Sequence, residues 1–267
     1  MYPILIDFGF WQLSTYGLFT ATAYLVGILW LKSQIPFMPN MNEDKFWKLV
    51  YALFAGAILG GKFLYLALNL EHLEGGLQFF KDFRYGFVFF GGLLGAMLTG
   101  FWATRRLKLP YLGTADYLGV MLPLGHWLGR LGCLGAGCCY GKPTTLPWGV
   151  SLGASSYSST PRHLWGMPLH PTQLYEAAAD ILMALFLLCC MLPRAKNKML
   201  APGTVFLSYA MLYSAARFAV EFFRGDDRGW TMGALSISQW ISVAVFLGAA
   251  VVMVRRGVKS FAGVSRA

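Results

Sequence analysis

Apolar residues in this chain come in runs separated by short polar segments, and several runs reach the roughly 20 residues a helix needs to cross bilayer hydrocarbon. Seven such runs can be read: Leu13 to Leu31, Phe46 to Leu68, Phe87 to Leu107, Tyr111 to Leu131, Gln173 to Leu192, Thr204 to Phe223 and Leu235 to Val254. The pattern predicts an all-α polytopic membrane protein of seven transmembrane helices, forming one integral membrane domain over residues 1–267. The polar stretch from Gly132 to Leu169 is the longest interruption. It carries Ser151, Ser155, Ser156, Ser158 and Ser159 among glycines and prolines, which predicts an irregular loop cap between spans four and five.

Composition agrees: 57% of the residues are hydrophobic and 13% charged, and the mean hydropathy is +0.53, outside the range of soluble domains. The net charge of +10 could point to nucleic acid, but the basic residues cluster between apolar runs and read as topology signals, so no nucleic-acid partner is expected. Threading the spans alternately places Lys32, Lys45, Lys48, Arg105, Arg106, Lys108, Arg194, Lys196, Lys198, Arg255, Arg256, Lys259 and Arg266 on one side. Lys81, Arg84, Lys142, Arg162 and Arg228 fall on the other. The positive-inside bias then predicts an N-terminus outside, a cytoplasmic C-terminus and an extracytoplasmic cap. The first basic residue, Lys32, follows the first apolar run, opposite to a secretory leader, so that run is expected to stay as a span.

Charge inside the apolar runs is the most informative exception. Arg130 ends span four, Arg217 and Arg224 lie in or beside span six, and span five opens with His170-Pro-Thr-Gln173-Leu-Tyr175-Glu176. A guanidinium beside hydrocarbon is costly and marks an anion, a cavity or a protein partner. Tyr213, Arg217, Glu221 and Arg224 recur at helical spacing, predicting one polar stripe. The bland account is a fastening network in which Arg130 pairs with Glu176, and Arg217 and Arg224 with Glu221. Against it stands an arginine surplus, if Asp226, Asp227 and Arg228 lie in water past the helix; such a surplus suits a phosphate. The pairs Gly56/Gly60, Gly91/Gly95 and Gly125/Gly129 predict close helix crossings.

Cysteine gives two clusters: Cys133, Cys138 and Cys139 at the loop entrance, and Cys189 and Cys190 in an apolar run. The spacing lacks a second clear ligand pair, so neither a metal nor a soluble cofactor is expected.

Several strings carry a resemblance. Gly129-Arg130-Leu-Gly132, Gly141-Lys142-Pro143 and Pro147-Trp-Gly-Val150 resemble the signature region of the bacterial prolipoprotein diacylglyceryl transferases. His170-Pro-Thr-Gln-Leu-Tyr-Glu176 is similar to that family's His-Pro-Ser-Gln-Leu-Tyr-Glu motif, and Arg217-Phe-Ala-Val-Glu-Phe-Phe-Arg224 to its Arg-Phe-x-x-Glu-Phe-Phe-Arg motif. Tyr16-Gly17 and Ser236-Ile-Ser-Gln239-Trp also fit. The resemblance implies transfer of a diacylglyceryl group from phosphatidylglycerol to the cysteine thiol of an exported, lipobox-bearing lipoprotein precursor, at the bacterial cytoplasmic (inner) membrane. Glycerol 1-phosphate would be released.

Within that reading, Arg130 and Arg217 are the first choices for a phosphate cradle, with Arg224 helping. Tyr16, Cys133, Gly141, Gln173, Tyr175, Tyr213 and Glu221 are expected around the lipid. The family carries a histidine before a Gly-Gly pair in its third span, the usual candidate base; here that position is Phe90. The family's loop asparagine and glutamate correspond to Cys133 and Cys138. The base is therefore either His126, His170 or Glu176, or the cysteines take part themselves, Cys133 or Cys138 accepting the lipid group first. Semi-buried packing or a disulfide with Cys133 are the other readings of Cys138. The alternatives in function are a related lipid-group transferase with another acceptor, or a non-catalytic phospholipid-binding or transport protein.

Overall fold

The computed structural model describes residues 2–9, 12–69, 86–153, 158–226 and 231–264. Of the residues weighed above, Lys81, Arg84, Ser155, Ser156, Asp227, Arg228 and Arg266 lie outside them. The protein is mostly helical. Its helices are α1 (Thr15–Ser33), α2 (Glu43–Leu68), α3 (Phe89–Arg106), α4 (Tyr111–Ala136), α5 (Thr172–Lys196), α6 (Thr204–Glu221) and α7 (Ile237–Val264). Three of them, Glu43–Leu68, Thr172–Lys196 and the Ile237–Arg256 part of α7, are long and apolar enough to cross a membrane. Large apolar side chains such as Leu59, Phe63, Leu182 and Leu247 are exposed on their outer faces, as lipid-facing helices require.

The chain divides into two compact units, Lys32–Thr114 and the remainder. In the smaller unit, Asn42 caps α2 by accepting from the Lys45 amide at 2.9 Å, and Glu43 and Asp44 follow in the first turn, where the helix dipole favours acid. The glycine pairs of α2 and α3 face one another. A Cβ on Gly60 would stand 2.4 Å from the Gly91 carbonyl oxygen, and one on Gly95 would stand 2.1 Å from that of Gly56. The backbones themselves touch there, the close crossing expected of these two pairs. Gly129 has open space instead, so the third pair makes no such crossing.

The larger unit opens with a hairpin of β1 (Ile4–Asp7) and β2 (Gln12–Ser14), so Leu13 lies in a strand and α1 starts at Thr15. Gly132 of α4 packs against Phe19 and the Tyr16 backbone, and Gly135 against Thr15. Asp116, buried in α4, accepts from the Gly203 amide at 2.6 Å and the Phe206 amide at 3.0 Å, supplying a cap for α6 from another helix. α5 widens into a π turn at Leu187–Met191, just before Pro193. Proline lacks an N–H and crowds the carbonyl four residues back, which accounts for the wider turn.

The segment expected to be an irregular cap contains regular elements among its described residues. α4 runs on to Ala136, β3 (Val150–Ser151) pairs with β4 (Pro168–Leu169), and Tyr140, Leu152 and Leu169 form a buried apolar cluster beneath. A short ladder of β5 (Thr231–Met232) and β6 (Leu235–Ser236) leads into α7.

Candidate functional site

Three distant segments meet through main-chain hydrogen bonds. The Gly141 amide donates to His170 O at 3.0 Å, the His170 amide to Lys142 O at 2.9 Å, the Lys142 amide to Phe223 O at 2.8 Å and the Gly225 amide to Tyr140 O at 3.1 Å. Lys142 Nζ adds a bond to Phe222 O at 2.9 Å. Gly141 is the crossing point. A Cβ there would stand 2.4 Å from His170 O and 2.8 Å from Phe223 O, so a side chain would part the backbones.

This junction gathers the charges. Arg130 Nη1 lies 2.7 Å from Glu176 Oε2, while Arg217 Nη1 and Arg224 Nη1 lie 3.4 Å and 3.2 Å from Glu176 Oε1. Arg217 Nη2 also pairs with Glu221 Oε2 at 2.5 Å, and Glu221 Oε1 accepts from Ser236 Oγ at 2.8 Å. One buried carboxylate thus serves three guanidiniums. The single polar stripe expected of span six holds for Tyr213, Arg217 and Glu221. Arg224 lies past the end of α6, where the chain turns and bridges to Gly141.

That turn also corrects the expected arginine surplus. Asp226 folds back and accepts from Arg224 Nε and Nη2, both at 2.9 Å, instead of standing in water. Within the cluster three arginines therefore face Glu176, Glu221 and Asp226. The pairs of the fastening account, Arg130 with Glu176 and Arg217 with Glu221, are present, whereas Arg224 pairs with Glu176 and Asp226. Side-chain exposure separates the three guanidiniums: 20% at Arg130, 10% at Arg217 and 2% at Arg224.

Glu176, Asp180, Tyr213 and Arg217 line a small cavity between α5 and α6. Asp180 is buried and was missed from the sequence, although its place one helical turn after Glu176 in an apolar run was a usable signal. The Tyr213 ring lies 5.4 Å from that of His126, whose Nδ1 is buried without a hydrogen bond among the described residues.

The remaining candidates have definite positions. His170 Nδ1 is 3.2 Å from the Tyr175 hydroxyl, which also accepts from Trp148 Nε1 at 2.8 Å, and the His170 ring lies 5.1 Å from Phe223. Gln173, fully buried, donates its amide to Cys138 O at 2.8 Å and so holds the loop. Tyr16 is half exposed on α1, within electrostatic range of Cys133, Cys138 and Cys139. Phe90 lies on α3 in the smaller unit, its ring edge-on to Phe89, and offers no proton acceptor.

All five cysteines are thiols rather than disulfides. The sulfurs of Cys133, Cys138 and Cys139 lie within 4.8 Å of one another. Hydrogen bonds from Cys133 and Cys138, and after them the Arg224 charge, hold the Cys139 thiol below the usual range. Arg130 Nη1 stands 4.0 Å from its sulfur. Cys138 is pushed the other way by its bonds to Cys133 and Cys139. The sequence named Cys133 and Cys138 as candidate thiols; Cys139 joins them here, beside Arg130.

The prolipoprotein diacylglyceryl transferase family matches residues 3–255. A phosphatidylglycerol–prolipoprotein diacylglyceryl transferase of Clostridium tetani is 33% identical over 91% of this chain and 93% of its own length. The second such enzyme of Clostridium perfringens is 36% identical over 78% of this chain and 77% of its own, and that of Zymomonas mobilis 31% identical over 92% and 87%. The family match covers α1 through most of α7 and takes in the junction of Arg130, Glu176, Arg217 and Arg224. The chain belongs to the prolipoprotein diacylglyceryl transferase family.

Proposed function

We propose that this membrane enzyme transfers the diacylglyceryl group of phosphatidylglycerol to the cysteine thiol of an exported lipoprotein precursor. The observation that carries the reading is the convergence of Arg130, Arg217 and Arg224 on Glu176. Each guanidinium has five N–H donors in a planar fork, and a carboxylate engages at most two of them, so the pairs fix the guanidinium planes while leaving donors for a phosphate. Arg130 and Arg217, the more accessible two, hold the head group. Arg224 anchors the loop.

In the reaction the acceptor sulfur attacks the glycerol carbon, the carbon–oxygen bond to phosphate breaks, and glycerol 1-phosphate leaves. Negative charge grows on the departing phosphate, where preorganised guanidiniums stabilise it more than they stabilise the intact lipid. In this reading Tyr213, which borders the cavity, acts with Tyr16 and Tyr175 to orient head group and ester carbonyls by hydrogen bonds. In this reading seven spans form one integral membrane domain of the bacterial inner membrane. The N-terminus lies outside, the C-terminus in the cytoplasm, and residues 132–169 cap the extracytoplasmic face, where exported precursors and outer-leaflet lipid are both within reach.

Incubating purified protein with phosphatidylglycerol and a lipobox peptide tests the proposal. A diacylglyceryl mass increase on the peptide cysteine supports it. Lipid binding with no covalent product favours the second reading, a phospholipid-binding protein.

A further inference from the structure

We propose that Cys133, Cys138 and Cys139 form a three-thiolate zinc site whose open fourth position binds the acceptor cysteine. The inference rests on the transferase reading above.

The geometry is that of a built site. Cys133 sits in the last turn of α4, the chain reverses at Gly137 with φ +69°, and Cys139 has φ +60°, a left-handed conformation uncommon for a residue with a side chain. Four hydrogen bonds pin the turn. Thr160 Oγ1 donates to Gly137 O at 2.6 Å, Gln173 Nε2 to Cys138 O at 2.8 Å, Thr172 Oγ1 to Cys139 O at 2.7 Å, and the Cys138 amide to Cys133 O at 3.1 Å. Thr172 and Gln173 are themselves fully buried in the first turn of α5, so the carbonyls are held by rigid partners.

The main chain thus faces α5 while the three sulfurs gather within 4.8 Å of one another. Zinc–sulfur bonds of about 2.3 Å in a tetrahedron place sulfurs about 3.8 Å apart, so closure on an ion needs shifts of about 1 Å or less. The separation along the chain, which lacks a second clear pair, had argued against a metal. The fold supplies the third ligand through the turn.

Three protein ligands with a vacant position are the arrangement of catalytic rather than structural zinc, and thiolates suit this soft ion. Among the described residues, no further histidine, cysteine or carboxylate joins the group. Zinc with three thiolates carries one net negative charge, and Arg130 beside Cys139 offsets it. The acceptor thiol binds zinc and releases its proton to water. Its sulfur pair then forms the bond to the glycerol carbon as the carbon–oxygen pair departs with phosphate. The product thioether is neutral, a poorer ligand than thiolate, and dissociates. A covalent relay through Cys133 or Cys138 is less suited to the chemistry, because the thioether it forms must be broken again with a poor leaving group.

The test uses the full chain, purified in detergent without chelator, with zinc measured by elemental mass spectrometry. About one zinc per chain is expected, lost on combined Cys133→Ser, Cys138→Ser and Cys139→Ser substitution and kept in Cys189→Ser, with circular dichroism confirming that each variant is folded. After exchange with cobalt(II), sulfur-to-metal absorbance should change when a lipobox cysteine peptide is added and stay constant with its serine counterpart. Equal zinc in wild type and triple variant overturns the site, and unchanged cobalt absorbance overturns the acceptor position. Transfer that persists in zinc-free protein sinks the inference while leaving the transferase intact. A peptide-responsive cobalt site in a protein that makes no lipidated product supports the inference on binding and counts against the transferase instead.

Discussion

Arg130 and Glu176 are joined by a 2.7 Å ion pair that ties the end of α4 to the start of α5. The same carboxylate also contacts Arg217 and Arg224, so Glu176 sets the orientation of every guanidinium at the junction.

Removing that carboxylate leaves buried positive charge without its shared partner. Glu176→Ala should therefore cost about 3–5 kcal/mol of stability, the range for breaking a buried ion pair from one side. Glu176→Gln, which keeps an acceptor, should cost less. Thermal unfolding in detergent measures both, and an unchanged midpoint for Glu176→Ala would remove Glu176 from its central position.

The phosphate cradle makes a kinetic prediction. Arg130→Ala and Arg217→Ala should each lower turnover by about 10²–10³-fold, the usual loss when one preorganised donor to a developing anion is removed. Phe90→Ala should be mild, since its half-exposed ring supplies neither charge nor hydrogen bond. Equal tolerance of all three changes in a peptide lipidation assay argues against the cradle.

Two glycines in the loop region separate packing from flexibility. Gly141→Ala meets backbone oxygens at 2.4 Å and 2.8 Å, whereas Gly153→Ala enters open space. The first should lose about 1–3 kcal/mol as the three chain segments are forced apart. The second should change little. Thermal midpoints of the two variants, measured side by side, decide the matter.

Asp116 lies far along α4 from Arg130 and caps α6 through two amides. Asp116→Ala should lower stability by about 1 kcal/mol, as loss of a helix cap does, while leaving turnover per folded molecule near wild type. A selective fall in turnover would place this carboxylate in the chemistry instead.

Much of this organisation was legible in the sequence. Apolar run length located six of the seven helices to within about five residues at each end, while α7 runs on to Val264, ten residues past the expected end, and three of the seven are long and apolar enough to cross a membrane. Arg130, Arg217 and Glu176 declared themselves as charges in such runs. What escaped depended on chain reversals. Asp226 returns to Arg224 through a turn after Phe222, and Cys139 reaches Cys133 and Cys138 through a left-handed residue. Neither turn leaves a periodic trace. The pairing of Gln173 with Cys138 O was hidden for the same reason, since it links residues 35 positions apart.

Anionic lipid chemistry at the arginine junction is tested most directly by a product balance. Wild-type protein given phosphatidylglycerol and a lipobox peptide should yield thioether-linked peptide and glycerol 1-phosphate in equal amounts, with both products falling together in Arg130→Ala. Wild-type protein that binds the lipid yet releases neither product, or an Arg130→Ala variant that forms both at the wild-type rate, would contradict it.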